Sequence, residues 1–198
     1  MLPPLSADDR ATAPTGRLRA AWRVAHEPAP GVSRRLRLIA YAVPLVVLPS
    51  SLWRIPSAFD DGIGFGERLY VPSLSIASEL LAFTAIGLIA RWGEVFPRGV
   101  PYLGGRQVPR RAAVVPAAVG ATVLTLVFTV LFIVTEIRGT TIRGDELPAD
   151  FPGEAGGREA VWFSLCYAPL VLWGPLMVVL TVAYHRRRRG TDRPAASG

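Results

Sequence analysis

The sequence predicts an all-α protein, an integral membrane four-helix bundle with both termini cytoplasmic. Three observations carry this. Half of the 198 residues are hydrophobic, with a positive mean hydropathy of +0.34. The apolar residues fall in four blocks of roughly 18 to 23, the length that a hydrocarbon core of about 30 Å demands of a helix. The basic residues lie unevenly about those blocks, as the positive-inside rule requires. Residues 1–36 are expected to be a disordered Arg/Pro-rich cytoplasmic tail, 37–185 the bundle, and 186–198 a basic cytoplasmic tail.

The tail comes first. Residues 1–36 carry Pro, Ala and Arg but few large apolar side chains, too little to offset the entropy of ordering. Within it, Arg17 to Val24 has the makings of a short basic surface helix. No secretory signal is expected, because the first apolar run begins only near Leu38.

The first span is placed at about 37–55. Pro44 and Pro49 lie inside it and should bend it, with Ser hydroxyls or neighbouring helices satisfying the freed carbonyls. A pliable loop with Asp60, Asp61 and Glu67 follows. Those acids lack the spacing of a divalent-cation site and read as solvated loop charges.

The second span, about 72–90, is the element around which the chain is organised. It holds one carboxylate, Glu79, inside its apolar run. An ionised carboxylate there costs roughly 2.5 kcal/mol or more, so it must be neutral, paired or beside water. Ser75, Ser78, Ala82 and Ala85 alternate at spacings of three and four, the pattern of a packed seam, and Glu79 flanks them. Two readings stay open. In one, Glu79 is an intramembrane proton or cation site. In the other, it is a structural group hydrogen-bonded to Tyr41, Tyr167 or a threonine of span three.

The loop from Arg91 to Arg111 is crowded with Arg, Trp, Gly and Pro. Trp92, Phe96 and Tyr102 suit the headgroup level. Pro97, Pro101 and Pro109 forbid a continuous helix, and Gly104-Gly105 marks a turn. An irregular segment on the membrane surface is expected. Backbone amides at Gly104, Gly105 and Arg106 are a weak candidate for cradling a phosphate.

The third span, about 112–134, has no charge. Ala113, Ala117, Ala121, Thr125 and Thr129 recur every four residues, a stripe that lets a neighbouring backbone approach closely. A polar loop over residues 135–160 holds six acids and three Arg. The fourth span, about 161–184, has Pro169, Gly174 and Pro175 near its centre and should kink there. It stops at His185 and Arg186 to Arg189, a stop-transfer run and an anchor for anionic lipids.

Charge sets the orientation. All 22 basic residues are Arg, and 17 of them lie in the N-terminal segment, the loop after span two or the C-terminal tail. Nine of the 15 acids lie in the other two loops. This puts both termini and the middle loop in the cytoplasm. The Arg excess follows this topology rather than nucleic-acid binding, so no nucleic-acid partner is expected.

Chemistry is sparse. Cys166 is the single cysteine, which excludes an intramolecular disulfide and a Cys-x-x-Cys pair. There is no His-Glu-x-x-His, no Gly-x-Ser-x-Gly and no phosphate-binding glycine loop. A non-enzymatic protein without cofactor or metal is expected. The small multidrug transporters also have four spans and one membrane carboxylate, but they are shorter and carry the carboxylate in the first span.

One stretch resembles something known. Arg91, Trp92, Gly93, Glu94, Pro97, Arg98, Pro101, Gly104, Gly105, Arg106, Val108 and Pro109 are similar to a loop in uncharacterised multi-pass membrane proteins of high-GC bacteria. Those carry an RPWGE-x-x-P-R-W-x-P phrase leading to GGRRVP and another span. Gly99 stands where that phrase has its second Trp. The resemblance covers about a sixth of the chain. It implies an integral protein of the bacterial cell membrane, with no assigned catalytic residue. Within this loop Glu94 is expected to pair with Arg91 or Arg98.

Two functions follow as expectations. The first is a non-catalytic accessory or regulatory membrane protein, with a membrane protein partner or a homo-oligomer as its assembly. The alternative is a small transporter or channel component using Glu79.

Overall fold

The computed structural model describes residues 16, 19, 23, 26–59, 64–96, 102, 104–141, 143–147, 151–153 and 156–191. The described residues form helices, short helical turns and isolated bridges, with no extended sheet among them. Four helical segments are long and apolar enough to cross a membrane. We label the helices α1 (Arg34–Arg54), α2 (Phe65–Gly87), α3 (Arg110–Phe132), α4 (Gly157–Tyr167) and α5 (Trp173–Thr191). The fourth segment is α4 and α5 joined by a tight helical turn, Ala168–Leu172.

The ends differ from the expected ones for local reasons. α1 starts at Arg34, where the Ser33 hydroxyl accepts from the Leu36 amide and caps the helix. Pro44 and Pro49 lie inside it, and Ser50 donates to the Val47 carbonyl at 2.8 Å beside the second proline. α2 begins at Phe65, seven residues before the expected start, and Pro72 lies within it. Hydropathy marks where the apolar run begins; the helix itself needs only backbone bonds and runs on into the polar flank. α3 widens at its far end into a π-helical turn over Ile133–Ile137. The kink expected near Pro169 is the turn Ala168–Leu172, where the proline cannot donate a helical bond.

The order of packing is not the order of the chain. α1 packs against α2 and against α4 and α5, and α5 packs against α3. α2 and α3, although joined by one loop, take different partners. The helices thus lie in the order α2, α1, α4/α5, α3. The two inner elements each carry a buried stripe at helical spacing. These are Ala40, Val43, Val47 and Ser50 on α1, and Trp173, Met177, Leu180 and Tyr184 on α5. On α3 only Ala121 is fully buried.

The predicted small-residue stripe is the α3 face turned to α5. Ala113 and Ala117 pack on the core beside buried Ala121, and a Cβ on Gly174 would collide with the Thr125 backbone. The two helices touch backbone to backbone at that point, a contact that only a glycine permits.

Candidate functional site

Two places gather polar chemistry. The first is the arginine-rich end, where the start of α1, the end of α2, the start of α3 and the end of α5 meet. After α2 the chain turns sharply. Trp92 folds its indole back under Gly87, and Gly93 sits against the Gly87 carbonyl so closely that neither glycine has room for a Cβ. The strand-like pieces around Val95 and Gln107 then pair. Phe96 donates to the Arg106 carbonyl at 3.0 Å, Gly105 to Phe96 at 2.9 Å, and Val108 to Glu94 at 2.8 Å. Gly105 has φ of +79°, so the expected glycine turn is present, and its amide is spent inside this hairpin.

The last turns of α5 hold the hairpin in place. Tyr184 is fully buried, and its hydroxyl donates to the Gly93 carbonyl at 3.1 Å. Arg187 Nη2 donates to Glu94 Oε1 at 2.6 Å and to the Leu88 carbonyl at 3.2 Å. Its guanidinium carbon also lies 5.5 Å from the Tyr184 ring centroid, a cation–π distance. Arg188 Nη2 donates to the Val108 carbonyl at 2.9 Å.

Of the two partners expected for Glu94, Arg91 is engaged elsewhere. Glu94 bonds Arg187, from the other end of the chain, and Arg91 bonds Glu27 at 3.3 Å. Arg98 lies outside the described residues. Local spacing suggested a partner inside the loop, but the hairpin turns Glu94 toward α5. The described part of the N-terminal segment is also tied down, unlike the loose tail expected through residue 36. Ala29 is buried and donates to Ile89 at 2.8 Å, while Arg91 donates to Glu27 at 3.1 Å. Most of the expected surface helix from residue 17 to 24 lies outside the described residues.

The second place is the α1–α2 seam around Glu79. Ser75, Ala82 and Ala85 are buried there, and Ser78 is half-buried. Ser75 accepts from Arg54 Nε at 3.3 Å and donates to the Ser51 carbonyl at 3.4 Å. Ser78 spends its hydroxyl on its own helix, at Leu74. Glu79 sits one turn from Ser75, and its Oε1 is sealed from solvent without a hydrogen-bond partner. None of the hydrogen bonds expected from Tyr41, Tyr167 or a threonine of α3 reaches that oxygen. Tyr167 lies near Arg54 instead, and Thr125 donates to the Ala121 carbonyl. Trp53, Phe151 and Tyr167 surround the Phe163 ring at the same end, with centroids 4.5 to 6.3 Å away.

Sequence reasoning missed Arg187. Its signal lies in the α5 stripe, since positions 173, 177, 180 and 184 continue at the same spacing to 187 and 188. Among the described residues no three His, Cys, Asp or Glu side chains gather as a metal site. Asp60 and Asp61, and the Glu67 side chain, lie outside the described residues. These features define a helical protein with four candidate membrane spans and one end clasped by arginine. The chain matches no protein-family model, no curated protein and no solved structure.

Proposed function

We propose that this is a four-span protein of the bacterial plasma membrane, with both termini in the cytoplasm, acting non-catalytically to support or regulate a partner. The observation that carries this reading is the helix order. α2 and α3 stand at the flanks of a row, each packed mainly on one inner helix. Both show apolar side chains outward, such as Ile76 and Leu80 on α2 and Val119 and Leu126 on α3. The clasped end supports the same reading, because hydrogen bonds join the N-terminal segment, the loop after α2 and the end of α5 at the arginine-rich face.

Native mass spectrometry of the protein extracted gently from its own membrane tests the role. A stoichiometric second protein is expected. A clean homo-oligomer without a second protein counts against the accessory role. Labelling with a membrane-impermeant maleimide in a Cys166→Ser background tests the orientation. Arg143→Cys should label in intact cells, and Arg189→Cys only after lysis.

One observation favours a second reading, a small transporter or channel component. Glu79 Oε1 is sealed within an apolar span and unpartnered, a costly arrangement in a purely structural group. In that reading Glu79→Gln abolishes proton- or cation-coupled flux while the protein stays folded.

A further inference from the structure

The turn after α2 is laced from two sides. Ala29 donates to the Ile89 carbonyl at 2.8 Å and Arg91 to the Glu27 carbonyl at 3.1 Å, so the N-terminal segment bridges antiparallel at Pro28 and Ala90. From the other side, Arg187 donates to the Leu88 carbonyl and the Glu94 carboxylate, and Tyr184 donates to the Gly93 carbonyl. The N-terminal holds at Ile89 and Arg91 thus lie between the α5 holds at Leu88 and Gly93. The two sides also touch each other. The stem of Arg187 lies over Gly31, 3.6 Å from where a Cβ would stand. The N-terminal segment itself is lightly held. Pro28 and Pro30 have no N–H, so Ala29 is the one donor in that triplet. Ala29 is buried, but Glu27, Pro28 and Pro30 are exposed. The Glu27–Arg91 ion pair is half open to water, where such a pair adds little. The prolines fix φ before the segment docks, so docking and release involve little ordering entropy.

We propose that residues 26–31 form a latch whose docking on the turn from Leu88 to Glu94 is coupled to the arginine clasp of α5. Arg187 is the shared element. It holds the carbonyl next to the one the latch uses, and its stem packs on the latch itself. Releasing the latch frees the Ile89 carbonyl and the Arg91 amide in the middle of the turn and loosens the hairpin that follows. Breaking the clasp loosens the latch by the same factor, as linkage requires. A partner that draws the N-terminal segment away from the turn acts on the hairpin through this coupling. The coupling itself is independent of the accessory role.

The test is hydrogen exchange of the full chain in detergent, read by mass spectrometry. The peptides followed carry the latch amides of Ala29 and Val32 and the hairpin amides of Phe96, Gly105 and Val108. Ala29→Asp puts a carboxylate into a buried alanine site and should release the latch. Hairpin exchange should then speed up at least about fivefold, the lower end of a typical coupling. Arg187→Gln should speed exchange at Ala29 by a similar factor. Amides in the middle of α3 should exchange as in the wild type in both, which separates local loosening from unfolding. A second variant closes the latch instead. Pro28 and Ala90 are a non-hydrogen-bonded bridge pair, whose Cα atoms stand about 4.5 Å apart, within reach of a disulfide. In a Cys166→Ser background, oxidised Pro28→Cys/Ala90→Cys should exchange more slowly at the hairpin than its reduced form. If Ala29→Asp unfolds α3 as well, this comparison decides. Release of the latch with hairpin exchange unchanged overturns the proposal, and so does a disulfide that forms without slowing the hairpin.

Discussion

Arg187 Nη2 and Glu94 Oε1 lie 2.6 Å apart, joining the end of α5 to the loop between α2 and α3. The two side chains are 15% and 17% exposed, so the pair is largely withdrawn from water. Its geometry is reinforced from both sides. The same guanidinium bonds the Leu88 carbonyl, and the neighbouring Tyr184 bonds Gly93. Breaking a buried pair from one side costs roughly 3–5 kcal/mol, and the remaining solvent access here lowers that to about 2 kcal/mol. Glu94→Ala and Arg187→Ala should each lower the melting temperature. Their double variant should be less destabilised than the sum of the two. Strict additivity in that cycle would count against the pair as a structural link.

This pair shows where sequence reading stops. The four long apolar helical segments were legible because length and apolarity are read directly from the chain, whatever their neighbours. The α3 stripe was legible because close approach demands small residues in a row. The identity of its neighbour was not, since Gly174 lies in a segment that reads equally well as a kink. Pairing across 93 positions depends on how the hairpin turns Glu94, and four consecutive arginines give no local sign of which one faces inward. The Glu79 seam was visible as a periodicity, but its missing hydrogen bond depends on α3 lying away from α2.

Gly174 and Gly120 make a matched pair of helical glycines. A Cβ on Gly174 meets the Thr125 backbone, which cannot yield as a flexible side-chain tip would, whereas Gly120 has open space around it. Gly174→Ala should therefore force α3 from α5 and cost about 1–3 kcal/mol, the range for overpacking. Gly120→Ala should be neutral or stabilise by up to about 1 kcal/mol through lost unfolded-state freedom. Thermal melting in detergent compares them directly. Equal melting temperatures would show that the two backbones do not touch.

Trp92 contributes its ring and not its N–H. The indole lies against Gly87, and Nε1 is sealed without a partner. Trp92→Phe keeps an aromatic plate and removes an unsatisfied donor, so it should cost less than about 1.5 kcal/mol. Trp92→Ala empties the space and should cost roughly 3–5 kcal/mol. A large loss in Trp92→Phe, comparable to that in Trp92→Ala, would reveal a hydrogen bond at Nε1.

Glu79 separates the two functional readings by stability as well as by flux. A structural carboxylate holds the fold through a hydrogen bond, so replacing it with leucine should destabilise. Here Oε1 has no such bond, and the flanking Ser75, Ala82 and Ala85 are already buried. Removing an oxygen that is sealed from water and unpaired relieves a penalty of about 1–3 kcal/mol. Glu79→Leu should therefore melt at or above the wild-type temperature, and Glu79→Gln close to it. A protein that retains a costly carboxylate while its apolar replacement is more stable is keeping that group for something other than folding. If both variants instead melt well below the wild type, Glu79 is structural and the pathway reading loses its one supporting observation.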